Sequence, residues 1–541
     1  MSTIALDPSA ADISALDPPS ALSPRRRAMV LAAMCMALVL VVAGVTMLTN
    51  ALPMISEDLD LSQTQQTWVV DAYALPFAAF LLIAGALGDR YGRRGALVAG
   101  TALFGAGALL SSIASTGSEL LAYRALTGLG AALIMPGTLS TITSVFPADK
   151  RARAVGVWTG FAMGGGTLGL LGSGVLLRWF WWGSTFVAAT AIAVVTLVAI
   201  VLTVPSTRAT EHVGLDPGGT ILSALGIGGL VFGIIEGPEQ GWTSGVTVAG
   251  LAVGVTALVA FVLWELNARN PLLDPRLFRL PGFGTGAASI FIMFLAMFGF
   301  FLVSIQFLQL ILGYSPLGAA VGLLPQMLLM TPLAAVAATL SLRFGQRRLT
   351  VLGLLIGAVG MAWFATLGAD SSYPQFLVGI LIVAVGIGLA MTPATTAIVN
   401  SLPVAKQGVA SAVNDTAREV GAALGVAILG SAFNSAYRSK ISPHLSGYNA
   451  EIADAAREAP ATAFERADEL GSVGAPLRRA TENAFVSGLH TAVLLSAALL
   501  LVGAMYTWWR GPVPVKSGRP ADVDELVNDE AELLVPAAAF D

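Results

Sequence analysis

The sequence predicts an all-α integral membrane protein: two six-helix bundles with two further helices inserted between them. Three observations predict this class. The composition cannot be solvated by water, fourteen apolar runs have membrane-spanning length, and an internal repeat relates the first six runs to the last six. Of 541 residues, 55% are hydrophobic and only 11% charged, with a mean hydropathy of +0.77. A soluble domain carries roughly a quarter charged residues, so the bilayer is this chain's solvent and partner. The net charge is −4. No basic patch is large enough for nucleic acid.

The elements follow in order. Residues 1–24 are rich in Ala, Ser, Pro and Asp, with Ala-Leu-Asp-Pro at both 5–8 and 15–18. Residues 1–27 therefore read as a disordered cytoplasmic tail, not a signal peptide. A spanning helix needs about 20 apolar residues. Runs at 28–50, 68–88, 95–115, 119–145, 153–177 and 182–204 give an N-terminal bundle over 28–204. Runs at 218–236 and 244–265 are the inserted pair, in a linker spanning 205–270. Runs at 284–309, 316–341, 349–368, 374–399, 410–434 and 484–509 give a C-terminal bundle over 271–510. That bundle carries a long extracytoplasmic loop, 435–483, with helix-forming stretches Ala450–Ala459 and Ala461–Leu470, placed to cap the outer vestibule. Residues 511–541 form a second cytoplasmic tail.

Charge asymmetry sets the orientation. With the N-terminus inside, the tails and inner loops hold Arg25–Arg27, Arg90, Arg93, Arg94, Lys150, Arg151, Arg153, Arg208, Arg269, Arg276, Arg279, Arg343, Arg347, Arg348, Lys406, Arg510, Lys516 and Arg519. The short outer loops hold only Arg178 among basic residues, beside Glu57, Asp58, Asp60, Glu239 and Asp370. An even number of spans puts both termini on the cytoplasmic side of a cell membrane.

The repeat supports the same topology. Leu87-Gly-Asp-Arg-Tyr-Gly-Arg-Arg94 is echoed by Leu340-Ser-Leu-Arg-Phe-Gly-Gln-Arg347, 253 residues later. Gly128-x-Gly130 with Pro136 is echoed by Gly386-x-Gly388 with Pro393, about 258 residues later. Span n of the first half thus matches span n+8. Transporters built from such repeats bind substrate between the halves near the membrane midplane.

Few residues carry chemistry. Cys35 is the only cysteine, so no intrachain disulfide forms, and it reads as apolar filler. His212, His444 and His490 are scattered and read as surface or helix-end residues. No nucleotide site, metal cluster or nucleophile–base constellation is visible, so neither a cofactor nor an enzyme is expected.

Gly85-Ala-Leu-Gly-Asp-Arg-Tyr-Gly-Arg-Arg94 is a charged loop between two apolar runs. The bland reading makes Arg90, Arg93 and Arg94 positive-inside anchors. Beyond that, Gly85 and Gly92 allow tight turns, and Asp89 can accept hydrogen bonds at a helix N-terminus or pair with an Arg. Arg124, in the first turns of span 4, is either a functional intramembrane cation needing a carboxylate or an arginine snorkelling to the interface. Asp71, early in span 2, is the best candidate for a cavity carboxylate, against the reading of a wet interfacial residue. Trp68 and Tyr73 beside it fit an interfacial belt or a stacking wall. Asp415 and Glu419 share a helix face with Arg418 adjacent, either as caps of span 13 or as a gate ion pair. Glu236, at the end of span 7, lies in the peripheral pair. Span 5 carries Gly156, Gly160, Gly164, Gly165, Gly166, Gly169, Gly172 and Gly174, and close helix packing explains them.

The 85–94 loop, G-x-L-x-D-R-x-G-R-R, resembles the signature between helices 2 and 3 of major facilitator superfamily transporters. Tyr123-Arg-Ala-Leu-Thr-Gly-Leu-Gly-Ala-Ala132 is similar to the family's span-4 motif, with Thr127 where Gln is usual. Gly169-Leu-Leu-Gly-Ser-Gly174 resembles the antiporter motif G-P-x-x-G-G, with Leu170 for Pro and Ser173 for Gly. Ala51-Leu-Pro53, Met135-Pro-Gly-Thr138, Pro271-Leu-Leu-Asp-Pro-Arg-Leu-Phe278 and Leu308-Gln-Leu-Ile-Leu-Gly-Tyr-Ser-Pro316 also match. The chain as a whole looks like a 14-helix drug:proton antiporter of that superfamily, in the multidrug and quaternary-ammonium exporter group.

The resemblance implies the major facilitator fold, a monomer, a latch at 85–94, and proton coupling at Arg124. It implies export of a small lipophilic, cationic substrate driven by the proton gradient. Trp158, Phe161, Phe294, Phe298 and Phe301 are then candidates for apolar cavity walls. Two departures bear on coupling. Many relatives have an Asp where this chain has Gly44, and the span-5 Pro is Leu170. The second-half loop also has Leu342 opposite Asp89. Asp71 with Arg124 is therefore the expected coupling site. The rival readings are an exporter of a natural antibiotic, lipid or metabolite, and a transport-dead scaffold or sensor.

Overall fold

The structure is a computed structural model that describes residues 22–61, 63–205, 216–403 and 406–512. Most of both tails, with Arg208, His212, Lys516 and Arg519, lies outside the described residues. Among the described residues, fourteen helices are long and apolar enough to cross a membrane. The first half comprises α1 (Pro24–Asp58), α2 (Gln63–Tyr91), α3 (Arg93–Ser112), α4 (Gly117–Val145), α5 (Ala148–Leu176) and α6 (Gly183–Thr203). The inserted pair is α7 (Pro217–Gln240) and α8 (Gly245–Glu265). The second half comprises α9 (Pro281–Gln306), α10 (Pro316–Phe344), α11 (Gln346–Phe364), α12 (Tyr373–Asn400) and α13 (Gln407–Ile441). Two short helices follow, α14 (Ala450–Glu458) and α15 (Pro460–Glu469), and then the last span, α16 (Ala475–Arg510).

Each half has its own core. Phe77, Leu81, Phe104, Leu139 and Trp158 belong to the first, and Phe283, Phe300, Phe307, Phe376 and Phe485 to the second. Glycines set the closest helix approaches, because a missing Cβ lets backbones touch. A Cβ on Gly100 would lie 2.9 Å from the Gly130 carbonyl, drawing α3 onto α4. A Cβ on Gly353 would lie 2.5 Å from the Gly386 carbonyl, drawing α11 onto α12 in the same way. The geometric register of the repeat is therefore Gly130 with Gly386, two residues off the register read from the sequence. Gly92 and Gly345, at φ +105° and +88°, make matching left-handed turns after α2 and α10.

Two spans run longer than their apolar cores suggest. α13 is a 35-residue helix and α16 a 36-residue helix. The long loop therefore shrinks to 442–474. Within it, α14 and α15 fall on the two stretches expected to be helical. The Tyr437 hydroxyl donates to the Ala456 carbonyl at 2.8 Å, and Arg478 pairs with Asp468 at 2.7 Å. These bonds tie the cap to α13 and α16 of the second half.

Candidate functional site

The two halves meet along two seams, α5 against α10 and α2 against α13, and the second of these carries the 85–94 loop at the end of the molecule opposite the α14–α15 cap. At 100° per residue, Asp71, Ala78, Leu82, Gly85 and Asp89 fall within about 60° on α2. Gly408, Ala412, Asp415 and Glu419 do the same on α13. These stripes touch at the latch end. A Cβ on Gly85 would lie 2.5 Å from the Gly408 carbonyl and 2.7 Å from the Ala412 Cβ. Only glycine permits that approach. Ala78 and Leu82 continue into the core of the second half.

Asp89 fastens the seam. α13 has no side-chain cap of its own; its N-cap position is Lys406. The Gly408 N–H donates to both Asp89 oxygens, at 3.0 and 2.8 Å, and the Val409 N–H donates at 3.2 Å. A carboxylate of the first half thus caps a helix of the second, where orphan N–H groups and the helix dipole favour a negative charge. Arg93 pairs with the same carboxylate at 3.0 Å and donates to the Ser140 carbonyl at 3.2 Å. Asp89 and Arg93 are 5% and 6% exposed. Arg94 binds the Val201 carbonyl at 2.6 Å, and Arg90 lies over the Tyr91 ring. Asp89 thus bridges the two halves, and Arg93 holds it from within the first half.

Further from the latch, the seam carries acids. Asp415 and Glu419 lie eight and twelve residues into α13, about 12 and 18 Å along the helix axis. They are not caps of its N-terminus, because α13 begins at Gln407, earlier than its apolar core suggests. Nor do Asp415 and Arg418 form an ion pair within 4 Å. Asp415 accepts from Asn414 Nδ2 at 3.1 Å, and Asn414 in turn accepts from Thr395 at 3.1 Å. Arg418 is held by rings from both halves, 4.9 Å from the Trp158 centroid and 5.4 Å from that of Phe294. Asp415 Oδ2 and Arg418 Nε and Nη2 are buried without a hydrogen-bond partner among the described residues. Sequence reading found these residues and misplaced their depth. Asp71 is half-buried on the α2 stripe that leads outward from the latch.

Arg124 is 1% exposed, which excludes snorkelling. Its Nε donates to the Val69 carbonyl at 3.1 Å and its Nη1 to the Gly44 carbonyl at 3.2 Å, with the guanidinium 4.7 Å from the Tyr73 centroid. No carboxylate among the described residues forms an ion pair with it, so the two residues expected to share the coupling, Asp71 and Arg124, are not salt-bridged in this state. Arg124 instead joins α1, α2 and α4 through carbonyl oxygens. At Gly44, where the resemblance implied an acid, a Cβ would lie 2.9 Å from the Phe104 ring, so a side chain there must displace that ring.

The span-5 glycines divide by neighbour. Gly156, Gly160 and Gly164 admit α10, and Gly165 and Gly169 admit α1. Gly172 has nothing within 4 Å and Gly174 only Asn50, so neither serves close packing. Polar bonds reinforce the α1–α5 contact. Thr46 donates to the Gly166 carbonyl at 2.8 Å, and Asn50 donates to Ser173 at 3.0 Å and to the carbonyl of Leu170 at 2.9 Å.

The expected aromatic walls also separate. Tyr73 is 1% and Trp158 0% exposed, so both are core residues here, and Tyr73 belongs to no interfacial belt. The Tyr73 hydroxyl donates to the Val41 carbonyl and the Trp158 indole to Thr138, both at 3.0 Å. Trp68 meets Phe232 of α7, at 5.8 Å between centroids. Phe294 is 6% exposed. Phe298 and Phe301 continue its stripe and are 39% and 44% exposed; Phe161 is 41% exposed. His490 Nε2 lies 2.7 Å from the Leu367 carbonyl, and Glu236 is buried against Gln240. Cys35 is buried and free.

The Major Facilitator Superfamily profile matches residues 34–426. Among similar proteins is the multidrug efflux pump LfrA of Mycolicibacterium smegmatis, 32% identical over 488 residues, 90% of this chain and 97% of the relative. Another is the cephamycin export protein CmcT of Amycolatopsis lactamdurans, 33% identical over 401 residues, 73% of this chain and 82% of the relative. Of solved structures, the human organic anion transporter MFSD10 (TETRAN) shares the fold, with a TM-score of 0.62 at 13% identity over 90% of this chain and 100% of that one.

Proposed function

The chain belongs to the major facilitator superfamily, and on that premise we propose that it is a proton-coupled exporter of lipophilic, cationic drugs working by alternating access. The similarity to a multidrug efflux pump supports the cargo class. The α2–α13 seam is the observation that carries the mechanism. It is closed at one end by the Asp89 latch and lined further along by Asp415 and Glu419, with Asp71 on the facing stripe of α2. The distribution of basic residues makes the latch end cytoplasmic, so this state faces outward, in the plasma membrane.

The coupling reading follows from the chemistry of the seam. A carboxylate at membrane depth is stable when protonated or paired with a cation. Proton and cationic drug therefore compete for the same acids, and their exchange links proton entry to drug exit. Glu419, half-buried and without a hydrogen bond or ion pair among the described residues, is the acid best placed for this exchange, with the half-buried Asp71 farther out on the α2 stripe. Protonation or drug binding changes the charge in the seam and so biases the rocking of the halves. A narrower cargo, a natural antibiotic, is the second reading, and the similarity to a cephamycin exporter favours it.

The test is ethidium accumulation in an efflux-deficient bacterial host, with and without a protonophore. Wild type should lower accumulation, and the protonophore should abolish the effect. Glu419→Gln and Asp71→Asn at equal expression should export at least tenfold more slowly. Export by both variants at the wild-type rate would remove the seam acids from the mechanism. No export by well-expressed wild type would remove ethidium from the cargo class.

A further inference from the structure

Arg418 lies eleven residues into α13, about 16 Å along the helix, and is 2% exposed. Its guanidinium is held between Trp158 of the first half and Phe294 of the second. Ring contacts engage the charge of a guanidinium and leave its N–H groups to find acceptors elsewhere. Here Nε and Nη2 find none among the described residues. These two nitrogens form one edge of the guanidinium fork, the edge that matches the two oxygens of a carboxylate.

A buried cation with an open edge is costly unless another state fills it. Asp415, one turn away, is outside ion-pair distance, and its Oδ1 is bonded to Asn414. The surroundings describe what would fill the fork. Phe294, Phe298 and Phe301 form one aromatic stripe leading away from the latch end, with Phe294 and Phe298 stacked at 5.6 Å. Glu419 is the residue next to Arg418 and is half-buried. An aromatic body, a carboxylate at one end and a positive charge nearby would meet all three.

We propose that Arg418 is the docking point for a carboxylate on the cargo, so that aromatic carboxylates and zwitterions are handled alongside lipophilic cations. The inference rests on the exporter reading and extends its substrate class. In this state Trp158 of the first half packs on the guanidinium. Separation of the halves at the latch end withdraws that ring and opens the fork to the cytoplasm, the side from which an exporter loads.

The experiment uses the full chain in detergent micelles. Ethidium binding is followed by fluorescence anisotropy, and norfloxacin, a zwitterionic aromatic carboxylate, is compared with its ethyl ester as a displacer. The ester keeps the ring and the amine and lacks the carboxylate. Wild type should favour the acid by about tenfold or more, the worth of a bidentate charge-assisted contact. Arg418→Gln should bring the acid-to-ester ratio near one. Arg418→Lys, which keeps the charge and loses the fork, should fall between, and it carries the test if Arg418→Gln does not fold. A wild-type ratio near one, or a preference for the acid that survives Arg418→Gln, overturns the proposal. So does displacement by neither compound, although ethidium binding with protonophore-sensitive export then leaves the exporter reading standing. Should ethidium itself not bind, that counts against the exporter reading, and the acid and ester are compared by calorimetry with the same criterion.

Discussion

Gly44 shows how one side chain and its neighbour settle a functional question. The resemblance implied an acid at this place, and the glycine here suggested a missing coupling group. The structure gives the loss a steric basis: Phe104 occupies the space, and Arg124 bonds the Gly44 carbonyl where a carboxylate would have met it. Restoring the acid alone should therefore fail. Gly44→Asp is expected to destabilise the protein by about 1–3 kcal/mol, the usual cost of overpacking, read as a lower unfolding temperature in detergent. Phe104→Ala in the same chain should recover part of that loss by making room for the introduced carboxylate to pair with Arg124. An equal or larger loss in the double variant would show that Phe104 is not the obstacle. Arg124 itself was legible as an unusual intramembrane cation. Its partners were not, because backbone carbonyls of α1 and α2 leave no mark in the sequence.

At the scale of helices, the fourteen spans were readable because each apolar run must cover a bilayer. Their ends were less so. α13 extends past its apolar core to Gln407 and to Ile441, and polarity at those turns hid helix that the cap and the latch support. That error made Asp415 and Glu419 look like caps when they lie well inside the helix. The glycines of α5 were legible as packing residues, but their sorting between α1 and α10 needed the third dimension. A ranking tests the sorting. Gly169→Leu places a Cβ 2.4 Å from Thr46 Oγ1 and 2.8 Å from the Ala43 Cα, so it should abolish the folded protein or lower its unfolding temperature most. Asn50→Leu removes interhelical hydrogen bonds that average about 0.6 kcal/mol in membranes and should cost little. Gly172→Leu meets nothing within 4 Å and should be close to neutral. A Gly172→Leu loss as large as that of Gly169→Leu would mean that another conformation uses this stripe.

For the whole molecule, the equilibrium between the two faces of the transporter turns on asymmetry between its halves. The repeat gives both halves the same turn, at Gly92 and Gly345. Only the first has an acid to cap the opposite helix, for Leu342 stands opposite Asp89 and is 69% exposed. The state with α2 locked to α13 is therefore favoured by contacts that one carboxylate supplies. Asp89→Ala removes an acceptor for two backbone N–H groups and strands the buried Arg93, a change on the order of 3–5 kcal/mol against the latched state. Even about 3 kcal/mol shifts a two-state ratio by more than a hundredfold. The readout is a spin-label distance between Tyr91→Cys and Lys406→Cys, both exposed positions at the latch end. The background is clean, since the single native cysteine, Cys35, is buried. With Asp89 intact, one short distance should dominate. With Asp89→Ala, a longer component should become the major one, and Leu342→Asp added to the otherwise wild-type chain should not produce it. An unchanged short distance in Asp89→Ala would mean that the close glycine contacts, Gly85 with Gly408 and Gly156, Gly160 and Gly164 with α10, hold the halves together without the carboxylate.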